Sequence, residues 1–332
     1  MRPYEQLTNV GRARRLRSTA IRAAGRYGLD VAELRQLAVD VNYVFRLTTS
    51  DGRRFAMRVQ RPGLHRPIDT ELELWWVQRL SADRLPVAGV VVNLEGDVVT
   101  VVEGSPGVPE PHRCVLFEWL PGGDADDEAP RFWRQLGSLA ARLHDHSADL
   151  QVPGRFQPRR WNSVFPYESP VLFEPQHAQV ITAHRARVLH RGIERLDPEL
   201  DGLYESAPKL QLVHGDLHDG NVRRRPGPDA GLSAFDFEDL VEGLPLHDLA
   251  VALYGPFFNS ARFDRVVADM RAGYERHRPW PVDDIDQLRP LFVARALGMV
   301  NFCLALGPEY NDFVAVLTDR VDRFVTGRRR GK

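Results

Sequence analysis

The sequence predicts an α+β fold, in which a small lobe built on an antiparallel sheet precedes a larger, mainly helical lobe. Short runs rich in β-branched and aromatic residues fill the first third of the 332-residue chain. The Pro- and Gly-rich acidic segment "PGGDADDEAP" then breaks this pattern. After it, apolar residues recur mainly at helical spacing. The predicted lobes are residues 1–119 and residues 120–332.

Composition narrows the class of protein. The apolar fraction of 43% and the charged fraction of 27% are ordinary for a folded, soluble protein. The net charge of −1 provides no field that would attract nucleic acid, so a nucleic-acid partner is not expected. No signal-peptide core and no run of about 20 apolar residues is present, so we expect a cytoplasmic protein without a membrane span. Cys114 and Cys303 lie in apolar contexts and are predicted to be buried thiols.

The first lobe begins with an arginine-rich stretch, residues 8–27, at mostly helical spacing. We interpret it as a solvated helix face, with a nucleic-acid contact as the alternative. The runs "LAVDVNYVFRLTT" and "RRFAMRVQ" flank Asp51-Gly52 and predict a hairpin. Apolar residues from Ile68 to Leu80 predict a helix. A second hairpin is expected around Gly96, and "RCVLFEWL" is the fifth predicted strand.

Helices dominate the second lobe. The segment "RFWRQLGSLAARLHDHS" carries leucines on one face, and three further helical stretches are predicted at residues 176–196, 285–306 and 311–326. Between the helices, "QLVHGDLHDGNVRRR" and "LSAFDFEDLV" are short and strand-like. Each strand-like run ends in polar residues, which concentrates the candidate chemistry in these two places.

Three oxygen-bearing side chains stand out in these runs. Asp216 offers a carboxylate that accepts a proton from a hydroxyl, and Asn221, five residues later, offers a neutral amide oxygen. Asp236 brings a further carboxylate at the end of the next apolar run. Such oxygens are hard ligands for Mg²⁺ on a polyphosphate, so the triple indicates phosphoryl transfer.

The spacing His214-x-Asp216-x-x-x-x-Asn221 is that of the protein-kinase catalytic loop. The sequence "HGDLHDGN" resembles more closely the motif of the aminoglycoside phosphotransferase-like family. That family includes aminoglycoside, choline, homoserine and fructosamine kinases and a bacterial stress-response Ser/Thr kinase. "LAARLHDHS" at 139–147 and "LPLHDLA" at 244–250 are also similar to that family. The resemblance runs from about Val39 to Tyr254 and implies a bilobal, protein-kinase-like fold.

The resemblance also implies roles for individual residues. Asp216 would be the catalytic base or hydroxyl-orienting carboxylate, and Asn221 and Asp236 would be the Mg²⁺ ligands. Arg58, in "FAMRV", falls where protein kinases have the lysine that holds the α- and β-phosphates, and a guanidinium suits that task. Glu71 on the following helix is the expected partner of Arg58, with Glu73 as the second choice.

The nucleotide site departs from the protein-kinase pattern at its phosphate loop. No G-x-G-x-x-G occurs between Leu37 and Leu47, and Asn42 stands where a polar hairpin residue replaces it in this family. Backbone groups near Glu118 and Leu120, in "VLFEWLPGG", would bind the adenine edge. ATP, or alternatively GTP, is the implied co-substrate, and Mg²⁺ the implied cofactor.

The acceptor is expected to be a hydroxyl-bearing small molecule, such as an aminoglycoside, amino alcohol or sugar. Acidic residues near the expected acceptor side suit a cationic or polyhydroxylated substrate: Asp124, Asp126, Asp127, Asp239 and Glu242. A stress-response-type Ser/Thr protein kinase is the alternative enzyme. A nucleotide-binding regulator without turnover is the alternative from another class.

Two metal-centred readings of the histidines are disfavoured. His214-x-x-x-His218 has the spacing of a zincin, but Gly215 stands where that motif has its glutamate. A binuclear metallophosphatase would need a G-N-H motif, whereas Asn221 is followed by Val222. We therefore expect both histidines to be structural. Asp248 is expected to brace the catalytic loop or a helix N-terminus.

Overall fold

The computed structural model describes residues 2–39, 41–166, 170–207, 209–227, 230–259 and 261–327. The chain divides into two compact units, Met1–Gly122 and Gly123–Lys332. This division falls three residues after the boundary that the sequence predicts. The first unit is built on an antiparallel sheet and the second is mainly helical, so the predicted fold class is confirmed.

A six-stranded antiparallel sheet and two helices form the first unit. In the sheet, the strand order is β1-β2-β3-β6-β4, and β5 also pairs with β6. The elements are α1 (Asn9–Gly25), β1 (Val31–Ala38), β2 (Tyr43–Thr49), β3 (Arg54–Val59), α2 (Pro67–Ala82), β4 (Val90–Val91), β5 (Thr100–Val102) and β6 (His112–Glu118).

Helix α1 covers one face of this sheet, which explains the helical spacing of the arginine-rich stretch. Its small buried residues, including Ala13, Leu16 and Ala20, pack in one cluster with strand residues such as Phe45 and Met57. The stripe follows the i, i+3, i+7 rule for a helix that buries a single face. The arginines of α1 therefore lie mainly on the remaining faces, as the solvated-face interpretation requires.

The hairpin of β2 and β3 is confirmed, with Gly52 at φ +85° in its turn. The second predicted hairpin is wrong. A turn does form at Gly96, where the Asn93 side chain accepts from two backbone amides, but β4 and β5 both pair with β6 instead of with each other. Strand β1 was not predicted, because Leu34 is its one buried residue and the sequence shows no alternation.

The second unit contains six helices and five short strands within its described residues. β10-β9-β7 form one antiparallel sheet and β11-β8 form another. The elements are β7 (Gly123–Asp124), α3 (Phe132–Ala148), α4 (Ala183–Glu205), β8 (Gln211–Val213), β9 (Val222–Arg224), β10 (Leu232–Ala234), β11 (Val241–Gly243), α5 (Pro245–Asn259), α6 (Phe263–Tyr274), α7 (Arg289–Leu306) and α8 (Asn311–Val325).

Three of these helices differ from the sequence-based expectation. α4 begins later than predicted because Thr182 caps it, and it continues through Pro198 to Glu205. α5 was missed since residues 247–254 are all buried and show no helical period. α6 was missed although its buried residues recur at helical spacing.

One segment passes the length and hydropathy test for a membrane span among the described residues. It is Ile285–Leu306, with a mean hydropathy of 1.4 over its best window. Because 61% of that window is buried within the protein, it matches the core helix of a folded unit. Cys114 and Cys303 are free and buried, as predicted, and burial raises the pKa of the Cys114 thiol to about 12.

Candidate active site

In the first unit, a buried ion pair joins strand β3 to helix α2. Arg58 and Glu73 are 3% and 2% exposed. The two guanidinium nitrogens of Arg58 lie 2.9 and 2.5 Å from the two carboxylate oxygens of Glu73. The Arg58 guanidinium also lies over the ring of Phe117, 5.2 Å from its centroid. A bidentate pair of this kind fixes the plane of the guanidinium.

The expectation that Glu71 pairs with Arg58 is wrong, and Glu73 takes that place. Glu71 is exposed, because it lies about 200° around the helix from Glu73. The buried face of α2 carries Thr70, Glu73 and Val77, which follow the i, i+3, i+7 spacing. Residues 72–77 are all buried, however, so the apolar pattern of α2 in the sequence shows no single face that would have selected Glu73.

Asn42 follows the turn between β1 and β2. Its side chain is 4% exposed, and its Oδ1 accepts a hydrogen bond of 3.0 Å from the backbone N–H of Arg61. The side chain thus ties this turn to the chain after β3. Its neighbour Asp40 lies outside the described residues. A phosphate contact by Asn42 stays a prediction.

The expected adenine-binding backbone lies at the end of β6. The N–H of Glu118 donates to the carbonyl of Gly89 at 2.8 Å, so this donor is engaged. Binding of the adenine edge by backbone groups near Glu118 and Leu120 stays a prediction. Near them, a recess of about 510 Å³ is lined by residues that include Phe55, Glu118 and Trp119.

In the second unit, the loop after β8 brings Asp216 and Asn221 together. The Nδ2 of Asn221 donates to the Asp216 carboxylate at 2.8 Å and also to the Asp216 backbone carbonyl at 2.8 Å. The amide group is therefore oriented with its nitrogen towards Asp216. Its oxygen is consequently the atom that remains for a cation, which matches the ligand role expected from the sequence.

Two cationic side chains contact Asp216: Arg295, which the sequence analysis did not single out, and His218, which it expected to be only structural. Arg295 on α7 donates to its Oδ1 at 2.7 Å, and Nε2 of His218 lies 3.3 Å from its Oδ2. Arg295 lies 79 positions further along the chain, in helix α7, whose sequence is mainly apolar. No local pattern in the sequence predicts that contact.

These cations determine the ionisation of Asp216. Burial alone would raise the pKa of Asp216, but the charge of Arg295 and the hydrogen bond from His218 outweigh it and hold the pKa well below its usual range. Burial lowers the pKa of His218, yet hydrogen bonds to Asp216 and Asp219 raise it to about 9. At neutral pH the loop therefore presents an ionised carboxylate beside two positive charges.

The fully buried carboxylate of Asp248 supports this loop through hydrogen bonds to its backbone. Asp248 on α5 accepts from the backbone N–H groups of His214 at 3.0 Å and Gly215 at 2.8 Å. It also accepts from Nε2 of His144 on α3 at 3.0 Å, and Nδ1 of His144 lies 2.8 Å from the Tyr274 hydroxyl. The predicted bracing by Asp248 is confirmed. His214 is likewise structural, since its Nε2 lies 3.1 Å from the Phe235 carbonyl.

His247, next to this brace, makes the stability of the protein sensitive to acid. Burial lowers its pKa from 6.5 to about 4, so between these pH values the histidine is protonated in the unfolded chain but neutral in the folded protein. Stability is present above pH 6.5 and is lost as the pH falls towards 4. Between pH 7 and pH 5 we expect this histidine alone to remove about 2 kcal/mol from the free energy of unfolding.

Urea unfolding of wild type and His247→Gln at both pH values measures that contribution. The variant should be less sensitive to pH by the stated amount. His184 is exposed on α4, so His184→Gln should keep the wild-type dependence. An equal pH dependence in wild type and His247→Gln contradicts the expectation.

Asp236 lies directly after β10 and beside the loop. Its backbone adopts φ +65°, a left-handed conformation that is uncommon outside glycine. The adjacent Phe235 N–H donates to the carbonyl of Asn221 at 3.0 Å, and Phe237 packs on the His214 ring at 4.3 Å. Asp236 is exposed between these two anchored neighbours. The backbone thus holds the two expected metal ligands at adjoining strand ends.

A cavity of about 820 Å³ lies beside the loop within the second unit. Its lining includes His218 and Arg295, which contact Asp216, together with Trp133, Tyr254 and Arg320. A volume of this size accommodates a small organic molecule. The loop carboxylate thus has a candidate acceptor site next to it.

A family model described as the phosphotransferase enzyme family matches residues 33–280, three quarters of the chain. The chain is a member of the phosphotransferase enzyme family. The resemblance noted in the sequence and the predicted enzyme class are therefore confirmed.

Named relatives of this phosphotransferase include kinases of two kinds. An amicoumacin kinase of Bacillus subtilis (strain 168) is 24% identical over 277 residues, covering 80% of this chain and 76% of the relative. A stress response kinase A of Salmonella paratyphi A is 22% identical over 275 residues, covering 82% and 76% respectively.

Solved structures support the fold of this phosphotransferase. A microcompartment-associated aminopropanol kinase superposes with a TM-score of 0.76 at 22% identity, covering 93% of this chain and 98% of that one. An amicoumacin kinase in complex with AMP-PNP, Ca²⁺ and Ami gives a TM-score of 0.74 at 19% identity, covering 93% of both chains. The kinase-like architecture is thus established for this chain.

The family implies a divalent cation, and the donor set of this phosphotransferase fits one. Asn221 and Asp236 supply an amide oxygen and a carboxylate, which are hard ligands. Within the described residues, no group of three or more His, Cys, Asp or Glu side chains is arranged to hold a metal. Two protein ligands are nevertheless sufficient where nucleotide phosphates supply further oxygens, which is the usual arrangement for Mg²⁺.

Proposed function

We propose that this phosphotransferase moves the γ-phosphoryl group of ATP, or of GTP, to a hydroxyl group of a small molecule, with Mg²⁺ as cofactor. The main observation in its support is the ionisation and orientation of the Asp216 carboxylate. Its carboxylate is held ionised by Arg295 and His218 and oriented by Asn221, at the edge of a cavity of ligand size. Phosphoryl transfer needs this kind of fixed, charged positioning more than it needs covalent chemistry.

The acceptor hydroxyl would donate its hydrogen bond to Asp216. As the new O–P bond forms, the bond from the γ-phosphorus to the β,γ-bridging oxygen breaks, and the hydroxyl proton passes to the Asp216 carboxylate. Neighbouring cations lower the pKa of Asp216, so its carboxylate is a weak base. We infer that Asp216 mainly orients the hydroxyl and accepts its proton only after the new O–P bond has largely formed.

Arg58 would bind the α- and β-phosphates from the first unit. Glu73 fixes its guanidinium in one plane, so little conformational entropy is lost when a phosphate binds. Asn42 would contribute through the hairpin that it stabilises, and the backbone near Glu118 and Leu120 would bind the adenine. Mg²⁺, held by the Asn221 oxygen and Asp236, would neutralise charge on the transferred group.

A small-molecule acceptor is favoured because the cavity beside the Asp216 loop has the volume of a small-molecule site and is lined by residues of the second unit. The amicoumacin and aminopropanol kinases to which this chain is similar are named for small-molecule substrates, which supports the same choice. Phosphorylation of a protein, suggested by a Salmonella typhimurium relative that is named a serine/threonine protein kinase and is 22% identical, is the second candidate. A nucleotide-binding regulator without turnover is disfavoured, because Asp216, Asn221 and Asp236 are all present.

An ATP-depletion screen tests the proposal. The purified chain, with Mg²⁺, would be offered aminoglycosides, amino alcohols, sugars, hydroxy acids and a generic protein acceptor, with ATP and then GTP. Acceptor-dependent consumption with a small molecule supports the proposal. Consumption with the protein alone would favour the second candidate, and nucleotide binding without consumption would favour the regulator.

Asp236→Asn should remove the Mg²⁺-dependent part of nucleotide binding. Asparagine tolerates the left-handed backbone at φ +65° and keeps the side-chain shape, so the fold without ligand should be unchanged. A tenfold loss of affinity lowers ligand stabilisation by about 1.4 kcal/mol. Thermal unfolding with AMP-PNP, with and without Mg²⁺, measures the effect. Asp283→Asn, at an exposed site, is the control, and an undiminished Mg²⁺ effect in Asp236→Asn would exclude this ligand.

A further inference from the structure

The cavity beside the Asp216 loop, which is the candidate acceptor site, is lined by a buried arginine that has no role in the proposed reaction. Arg320 on α8 lines the cavity and is only 8% exposed. Its Nη2 donates to the side-chain oxygen of Asn259 at 3.2 Å, and its guanidinium lies over the rings of Tyr254 and Phe258 at 5.1 and 4.5 Å. All of these partners are uncharged. Within the described chain, Arg320 has no carboxylate at ion-pair distance.

The acidic residues of the cavity do not neutralise it, because they have other partners. Glu128 pairs with Arg262, Asp269 lies 3.1 Å from Arg134, and Asp219 lies 3.3 Å from His218. Asp127, which also lines the cavity, is exposed to solvent. A buried cation without a counter-charge is costly, and an anion at this place would remove that cost.

Two of the residues that sequence analysis assigned to a cationic substrate are also neutralised. Asp124 lies 3.0 Å from Arg223, and Glu242 lies 2.8 Å from Arg160. These carboxylates therefore give no independent reason to expect a positively charged acceptor. The uncompensated charge that is buried in the cavity wall is positive.

A second observation comes from Tyr254, which lies between Arg320 and Arg295, two of the arginines that line the cavity. Its ring has the guanidinium of Arg320 at 5.1 Å and that of Arg295 at 5.9 Å. Tyr254 is 6% exposed, and its hydroxyl lies close to the Arg320 guanidinium, which can only donate. Within the described residues the hydroxyl donates to no acceptor. An oxyanion bound by Arg320 would give this hydroxyl an acceptor.

We propose that Arg320 and Tyr254 form an anion subsite that binds a carboxylate or phosphate group of the acceptor. This subsite rests on the proposed function, and it specifies the class of substrate: a small hydroxyl compound carrying an anionic group. Arg295 contacts both Tyr254 and Asp216, so one residue separates the subsite from the reacting carboxylate. A compound that carries a hydroxyl and an anionic group on one small skeleton therefore suits this cavity.

Matched acceptor pairs test the subsite in the wild-type protein. Hydroxy acids of two to five carbons would be compared with their amides, and glycerol 3-phosphate with glycerol, by kcat/KM under saturating Mg·ATP. We expect at least a tenfold preference for the anionic member of one series, which tells a carboxylate ligand from a phosphate ligand. Equal use of charged and neutral members overturns the subsite while leaving the kinase function intact.

Arg320→Gln should reduce that preference to less than threefold, and Arg320→Lys should retain part of it. Arg323, one turn further along α8, is exposed, so Arg323→Gln is the matched control and should keep the full preference. A preference that survives Arg320→Gln overturns the proposal.

A binding measurement covers the cases in which Arg320→Gln fails to fold or no tested acceptor is consumed. Inorganic phosphate and acetate would be titrated into wild type saturated with Mg·AMP-PNP, which occupies the nucleotide site. Saturable binding of either anion, competitive with the other, supports the subsite. If neither anion binding nor an acceptor preference is found, the subsite is contradicted. If an anion binds but no acceptor causes ATP consumption, only the proposed function is contradicted.

Discussion

Asp216→Asn is expected to lower acceptor-dependent ATP consumption by about 10²–10⁴-fold, equivalent to about 3–5 kcal/mol of barrier. The substitution keeps the size of the side chain and leaves an oxygen for the hydrogen bond from Asn221. It removes the charge that would orient the hydroxyl and receive its proton. Arg295 loses its counter-ion, but its side chain is 19% exposed, so water compensates in part. The fold should therefore survive.

Initial rates under saturating Mg·ATP and acceptor measure the loss, with circular dichroism and AMP-PNP binding as checks on folding. Asp145→Asn serves as the matched control, because Asp145 is an exposed carboxylate on α3 in the same unit. Its activity should equal that of wild type. If Asp216→Asn retains more than a tenth of the wild-type rate, Asp216 is not the residue that handles the hydroxyl.

Glu73→Ala is expected to destabilise the first unit by about 3–5 kcal/mol, because it leaves the Arg58 charge buried without its partner. The two side chains are 4% and 3% exposed, so solvent does not replace the lost carboxylate. Glu71→Ala, two residues earlier on the exposed face of α2, should change stability by less than about 0.5 kcal/mol. Urea unfolding followed by tryptophan fluorescence measures both, since Trp75 and Trp76 lie in the same helix.

A double variant separates stability from nucleotide binding. Arg58→Met with Glu73→Leu replaces the pair by apolar side chains of similar size, which should recover much of the lost stability. It should not recover AMP-PNP affinity, because no cation remains for the phosphates. Equal stability of Glu73→Ala and Glu71→Ala would contradict the assignment of the pair, and full AMP-PNP affinity in the double variant would contradict the phosphate role of Arg58.

The elements that the sequence predicted best are those whose signal is local. The turn at Asp51-Gly52 and the amphipathic helix α3 have distinctive turn residues or a distinctive period, and the structure contains both. Strand β1 and helix α5 escaped prediction because one is almost fully exposed and the other almost fully buried. Neither gives the alternation on which sequence patterns depend.

The same distinction applies to the site. Asp216 and Asn221 belong to one loop, so their proximity follows from a spacing of five residues. The contact of Arg295 with Asp216 spans 79 positions and depends on how α7 packs, which no local pattern encodes. The choice between Glu71 and Glu73 depends on which side of α2 turns towards Arg58, and the sequence of α2 does not show this because its apolar residues surround most of the helix.

The brace at Asp248 has a consequence for the order in which the protein becomes active. The loop residues His214 and Gly215 are held by a carboxylate that is 34 and 33 positions later in the chain, and that carboxylate is itself held by His144, 104 positions before it. The loop thus lacks its support until α3 and α5 have packed. During synthesis, a chain that ends before residue 248 already carries Asp216, Asn221 and Asp236 but cannot hold them in place. We therefore expect the loop to reach the geometry described above only after the second unit has assembled.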